Sequence, residues 1–167
     1  MVIISVPISL AQELSADEQQ LYDFIMDYRK NMNLPSIPIS QSLTYVAQTH
    51  SRDLAENRPD QDQCNLHSWS KKGKWKSCCY TSDHAKASCM WDKPKEMTGY
   101  VYPGYEISCV GTLSLSPKEA LDIWISSQPH HEVIINKGIW IDPWKAIGIG
   151  IHEGYATVWF GHYAEPN

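Results

Sequence analysis

The sequence predicts an α+β domain in which helices pack against an antiparallel sheet. Two segments near the start repeat apolar residues at helical spacing after a capping residue, and a third lies at 116–126. The chain then ends in two alternating apolar runs around a glycine-containing turn, which is typical of a hairpin. Helices first and a hairpin last indicate an α+β domain rather than alternating β and α units.

The two N-terminal helices have clear start signals. Ser15 and Glu18 form a capping box for the first helix, and Ser40 caps the second after the proline-containing connector "NLPSIPIS". The apolar face of the first helix is Leu21, Phe24, Ile25, Tyr28 and Met32. That of the second is Leu43, Val46, Ala47, His50 and Leu54. A histidine on such a face is predicted to be a packed core residue rather than a ligand.

The rest of the chain divides into an irregular region and a regular end. Residues 57–105 lack periodicity and contain Gly, Pro and four cysteines, which predicts a long irregular loop region. A turn and strand are expected at 100–110. The third helix has Ser116 as cap and Pro117 at its first position, and a further helical turn is expected within 129–138.

Length and charge limit the class of protein. A chain of 167 residues suggests one domain, and its formal net charge is -5. No run of basic residues is longer than Lys71-Lys72, so the sequence predicts neither nucleic acid nor an anionic membrane as partner. Beyond the N-terminus no apolar run approaches the roughly 18 residues of a membrane helix, so no transmembrane segment is predicted.

The five cysteines favour disulfides over a metal or redox motif. They are Cys64, Cys78, Cys79, Cys89 and Cys109. No pair has C-x-x-C spacing, and Cys64 with His67 lacks the second pair that a four-ligand zinc site needs. A disulfide-stapled loop in an exported protein fits this pattern, and the odd count leaves one thiol free. Which cysteines pair stays open.

The N-terminus points in the same direction. Residues 1–11 are apolar and uncharged through Leu10, and "SLA" places small residues before a cut after Ala11. The segment is predicted to be a signal-peptide remnant, with a disordered N-terminus as the alternative.

Five motifs occur in an order that resembles a known family. They are "LTYVAQTHSRDLAEN", the dipeptide His67-Ser68, "GYEI", "WISSQPHHEVIIN", and "AIGIGI" followed by "YATVWFG". Together they resemble the CAP superfamily (cysteine-rich secretory, antigen 5 and pathogenesis-related-1 proteins), specifically its bacterial SCP-like branch. The resemblance covers about residues 15–163, which are predicted to form a single domain.

This resemblance implies a three-layer α–β–α sandwich with a central antiparallel sheet and a cleft. In the family the cleft holds two histidines and two acidic residues, able in some members to bind a divalent metal. His67, Glu106 and His130 match three of the four, while Ser127 stands where eukaryotic relatives carry the fourth. The residues expected to support this reduced site are Ser127, His131 and Trp69. His162 copies a eukaryotic motif but follows the hairpin, so it is predicted to be a strand-end residue.

The resemblance implies a secreted, periplasmic or extracellular protein, and it favours binding over catalysis while leaving the enzyme question open. His67, Glu106 and His130 would bind zinc or another divalent cation, a small apolar or extracellular ligand, or both. One alternative is a hydrolase that uses the same cleft. In one form a metal or Glu106 as general base would activate water, and in the other the thiol of Cys109 would be the nucleophile. Another is a disulfide-stapled interaction module without turnover, in which residues 58–95 form the contact surface.

Overall fold

In the computed structural model, residues 13–166 are described, so the predicted signal-peptide remnant at 1–11 lies outside the described residues. The helices are α1 (Ala16–Asn31), α2 (Gln41–Asn57), α3 (Ala87–Trp91), α4 (Lys93–Met97), α5 (Pro117–Ser126) and α6 (Gln128–Ile134). The strands are β1 (Tyr105–Val110), β2 (Ala146–His152) and β3 (Tyr155–Gly161). No helix in this part of the chain combines the length and the apolarity needed to cross a membrane.

The three strands form one antiparallel sheet in the order β1-β3-β2, with helices on both faces. One face packs on α1, α5 and α6 through strand residues such as Ile107, Ile149 and Val158. The other face packs on α2 and the cysteine-rich region through Ala146 and Trp159. The predicted α–β–α sandwich is therefore confirmed, and each strand contributes alternate side chains to two separate cores.

The predicted helix starts are also found. Ser15 with Glu18, and Ser116 with Glu119, each form a complete capping box, while the Ser40 side chain accepts from the backbone N–H of Leu43. The prediction of an irregular region at 57–105 needs a correction, because α3 and α4 lie within it. They are five residues each and separated by Asp92. Helices this short depend on tertiary contacts, so periodicity does not reveal them.

Two disulfides staple this region, as the cysteine pattern predicts. Cys64 bonds to Cys79 and Cys78 to Cys89, with Cα–Cα distances of 4.9 and 6.5 Å. Cys109 is the free thiol, and it is buried in β1.

Glycines in β2 allow α2 to lie directly on the sheet. A Cβ atom on Gly148 would lie 2.1 Å from the carbonyl carbon of Leu43, and one on Gly150 would lie 2.3 Å from that of Ala47. Both obstacles are helix backbone, which cannot rotate away. The glycines therefore fix the distance between α2 and the sheet, and with it the depth at which His50 is held.

We expect Gly150→Ala to lower the free energy of unfolding by about 3 kcal/mol, at the upper end of overpacking costs, because the new methyl group must displace a helix. Urea unfolding monitored by far-UV circular dichroism measures the change. Gly99→Ala is the matched control, since nothing lies within 4 Å of a Cβ there. Equal stability of the two variants would contradict this account of the packing.

Candidate functional site

The site is built around Glu106, a carboxylate buried on the sheet. Side chains of β1 alternate between the two faces, and Ile107 and Cys109 enter the core beneath α1 and α5. Glu106 therefore points to the opposite face, beside α2, and pairs across the ladder with Trp159. Its side chain is 1% exposed. A charged group at such a position needs partners, because burial without compensation is costly.

Two histidines from different parts of the chain supply those partners. The Nδ1 atom of His50 lies 2.5 Å from Oε1 of Glu106, and the Nδ1 atom of His67 lies 2.7 Å from Oε2. The first comes from α2 and the second from the loop after Cys64. Each carboxylate oxygen is thus occupied by an imidazole.

The second ring nitrogen of His50 determines its charge. Nε2 lies 2.9 Å from the carbonyl oxygen of Ser68, which can only accept a hydrogen bond. Both ring nitrogens of His50 therefore face acceptors when Glu106 is ionised, and both must carry protons. The arrangement is a buried imidazolium–carboxylate pair, to which His67 adds a second hydrogen bond. The ring of His50 also stacks on Trp69, with centroids 4.0 Å apart.

The acidity of Glu106 reflects this environment. Burial is the largest influence and raises its pKa, but the positive charge of His50 and the hydrogen bonds from His50 and His67 together lower the pKa to about 2. The carboxylate is therefore ionised throughout the physiological range, and it orients the His67 ring by accepting from Nδ1–H.

Local backbone contacts hold His67 in place. Trp69 exchanges two backbone hydrogen bonds with Cys78, and the backbone N–H of Asn65 donates to the carbonyl of Tyr80. From the other side, Asp53 of α2 accepts from both the N–H and the hydroxyl of Ser70. The segment that carries His67 is thus clamped between α2 and the stapled loop.

His67 opens onto a cavity of about 450 Å³. Its other polar residues include Glu106 and His130, and much of the remaining wall is aromatic or aliphatic. The apolar lining residues include Tyr80, Met90, Trp91, Tyr105, Ile107, Val133, Ile139 and Trp140. The three residues matched by the resemblance therefore line one cavity, although they are widely separated in the chain.

His130 differs from His67 because it has no fixed partner. Its Nδ1 atom is buried and makes no hydrogen bond to any described residue. Burial lowers the pKa of His130, and the charge of nearby His67 lowers it further. The ring is therefore favoured in its neutral form, with one nitrogen bearing a lone pair and the other bearing a proton.

The other residues named from the sequence lie outside the cavity lining. Ser127 joins α5 to α6 and makes no side-chain cap, and His131 points to α1, where it bonds the hydroxyl of Tyr28. Trp69 is a core residue, 2% exposed and stacked on His50. His162 stacks on Trp144 just after β3, in agreement with its interpretation as a strand-end residue.

The predicted metal site depends on which side-chain atoms at the cavity wall are available to bind an ion. Both oxygens of Glu106 are already hydrogen-bonded, so among the three predicted ligands it is His67 and His130 that keep ring nitrogens available at the cavity wall. His84 and Glu132 also line the cavity. Among the described residues, no group of three or more His, Cys, Asp or Glu side chains is arranged to hold a metal ion.

His50 is the residue whose role sequence reasoning missed. Helical spacing correctly placed it in the core, where it is fully buried. Spacing could not show that its partner is Glu106, 56 positions along the chain. One signal was present, since a buried imidazole needs polar partners and so does a glutamate that is the one charged residue of its strand.

Comparison with known proteins agrees with this fold. A family model described as the cysteine-rich secretory protein family, CAP, matches residues 22–163. The chain belongs to the CAP family. The matched range contains all three residues of the His50–Glu106–His67 network and both disulfides, so these features lie within the CAP domain.

Solved structures of bacterial proteins share this CAP fold. An extracellular protein containing an SCP domain from Bacillus anthracis matches with a TM-score of 0.61 and 19% identity, over 88% of this chain and 40% of that protein. An outer surface protein from Borrelia burgdorferi matches with a TM-score of 0.61 and 20% identity, over 89% of this chain and 94% of that protein. A cysteine-rich secretory protein from Staphylococcus aureus matches with a TM-score of 0.53 and 16% identity, over 92% of this chain and 40% of that protein.

At these identities the likeness shows the fold alone. The chain spans 40% of the length of the Bacillus protein. A search of curated protein sequences returned no match.

The substitution Glu106→Gln keeps the shape of the side chain but removes the counter-charge of His50. We expect the free energy of unfolding at pH 7 to fall by about 3 kcal/mol, because a buried charge is left without its partner. In the wild type, Glu106 has a lower pKa folded than unfolded. Its stabilisation is therefore complete above about pH 5 and is lost as the pH falls towards 2.

Urea unfolding at a series of pH values between 7 and 2 measures both effects. In Glu106→Gln this part of the acid dependence should disappear. The exposed Glu153→Gln is the control, and it should keep the wild-type stability and slope. A Glu106→Gln variant that matches this control would contradict the assigned ion pair.

Proposed function

We propose that this protein is an exported CAP-domain protein that binds a small, partly apolar ligand in the His67 cavity. The observation that carries the proposal is the His50–Glu106–His67 network beneath a largely apolar cavity of about 450 Å³. Such a cavity, with a few fixed polar groups among apolar walls, is typical of small-molecule sites. The apolar part of the ligand packs on the walls, and its polar group bonds His67 and His130.

Export is supported by the cysteines. Two disulfides in a short stretch are typical of proteins that fold in an oxidising compartment. The Bacillus protein with the same fold is described as extracellular, and the Borrelia protein as an outer surface protein.

A divalent cation is the second occupant that the geometry favours. Metal-ligating histidines usually donate their other ring N–H to a carboxylate, which is the relation between His67 and Glu106. We propose that His67 and His130 are the ligands and that Glu106 orients His67 instead of binding the ion. Two imidazoles suit zinc, and a bound cation would polarise an oxygen of the ligand or of water.

The thiol-dependent form of the hydrolase alternative is disfavoured by the position of Cys109. Cys109 is 3% exposed and does not line the cavity. Burial raises the pKa of its thiol to about 12, so the reactive thiolate is scarce at neutral pH.

Isothermal titration with Zn²⁺ tests the cation site. We expect one site in the wild type, and its loss in His67→Ala and in His130→Ala, because each removes one of two protein ligands. His152→Ala, on the far end of β2, is the matched control and should bind as the wild type. Negligible heat in the wild type, or equal heats in all variants, would refute the cation proposal.

Binding of 1-anilinonaphthalene-8-sulfonate tests the apolar cavity by fluorescence. Ile139→Asp should weaken binding of the dye about tenfold, because it places a charge on the apolar wall. Leu113→Asp is the control, since Ile139 and Leu113 are 84% and 83% exposed but only Ile139 lines the cavity. If the two variants bind the dye equally well, the cavity is not the binding site.

A further inference from the structure

Positive charge is concentrated in one segment of this acidic protein. Residues 71–95 contain seven of the 14 basic residues of the chain but only two of its 19 acidic residues. The segment therefore has a formal charge of +5 within a chain of -5. A local field of this kind attracts anionic partners even when the net charge of the protein is negative.

Most of these lysines are exposed and free of acidic partners. The six exposed ones are Lys71, Lys72, Lys74, Lys76, Lys86 and Lys95. The structure gives none of the six an ion pair with any described residue, whereas buried Lys93 pairs with Glu96 at 2.8 Å. Elsewhere Arg58 pairs with Asp60 and Lys118 with Asp122. Single unpaired lysines also occur elsewhere on the described surface, but here six of them lie within 25 residues of the chain.

Three of the six exposed lysines, together with buried Lys93, line a cleft of about 480 Å³, here called the lysine cleft. The exposed three are Lys76, Lys86 and Lys95, and Ser77 and Ser88 also line the cleft with their hydroxyl groups. Asp92 and Glu96 also line it, but Lys93 neutralises Glu96, so the cleft keeps a positive balance.

The Cys78–Cys89 disulfide forms part of this cleft and brings its two sides together. Lys76 lies two residues before one cysteine, and Lys86 lies three residues before the other. The short helix α3 separates this cleft from the histidine cavity. Ser88 and Cys89 face the lysines, while Ala87, Met90 and Trp91 face the cavity.

We propose that the lysine cleft binds a segment of an acidic polysaccharide. The ammonium groups would pair with carboxylate or sulfate groups of the polymer, and the serine hydroxyls would bond its sugar hydroxyls. A concave cleft accepts a single polymer chain. This site is separate from the ligand cavity, and its failure or success does not depend on that proposal.

Two other polyanions fit the surface less well. Proteins that bind membrane surfaces usually insert apolar side chains into them. Within the described segment 71–95 the one exposed large apolar residue is Trp91, and it lines the histidine cavity instead of the lysine cleft. Single-stranded nucleic acids stack their bases on aromatic rings, and none of the described residues that line the cleft is aromatic. An acidic polysaccharide needs neither feature.

The test is binding of the full chain to polygalacturonate and to dextran sulfate, measured by interferometry at about 0.1 M salt, where screening beyond ~10 Å suppresses diffuse attraction. We expect binding to one or both polymers and none to neutral dextran. The triple variant Lys76→Gln, Lys86→Gln, Lys95→Gln should bind at least about tenfold more weakly, because three charge pairs are lost together.

The matched control changes the same charge elsewhere, as Lys30→Gln, Lys137→Gln, Lys145→Gln. All three positions are exposed and lie outside the cleft, so this variant should keep wild-type binding. His67→Ala should also bind normally, which separates this site from the cavity. The proposal is overturned if neither acidic polymer binds, or if both triple variants weaken binding equally. Equal or tighter binding to phosphatidylglycerol vesicles or to single-stranded DNA would also overturn it.

Discussion

The geometry of the histidine cavity depends on the hydrogen bonds that the Glu106 carboxylate makes to two histidines. The carboxylate joins the central sheet to α2 through His50 and to the stapled loop through His67. Because the group is buried and ionised, the energy of leaving either oxygen unpaired would be large. The same contacts that lock three parts of the chain together also leave one face of His67 directed at a cavity. The hydrogen bonds of Glu106 therefore both hold these parts of the chain together and position His67 at the cavity.

The packing around this carboxylate explains why it is held so closely. Gly148 and Gly150 bring α2 against the sheet, which carries His50 to within hydrogen-bonding distance of β1. Asp53, one turn further along α2, fixes the loop that bears His67. A single helix thus sets both imidazoles, and the absence of two methyl groups on the neighbouring strand makes its position possible.

The sequence predicted the regular part of this fold from local signals, and the resemblance supplied the three-layer arrangement. Capping residues and the alternation of the hairpin were sufficient for α1, α2, α5 and the two last strands. Glu106 and His130 were assigned through the resemblance, because no spacing rule links residues brought together by a sheet. The role of His50 and the short helices α3 and α4 were missed, since each depends on contacts distant in sequence. The lysine cleft could not be predicted for the same reason, because the Cys78–Cys89 disulfide brings its two sides together.

The short helix α3 lies between the histidine cavity on one side and the lysine cleft on the other. It is tied at Cys89 to the loop that carries Cys78, so it cannot shift towards one space without enlarging the other. If ligands bind on both sides as proposed, a displacement of this helix by one ligand would change the affinity for the other. By linkage the effect is reciprocal and has the same magnitude in both directions. The Cys78–Cys89 disulfide would then limit how far this helix can move between the two proposed sites.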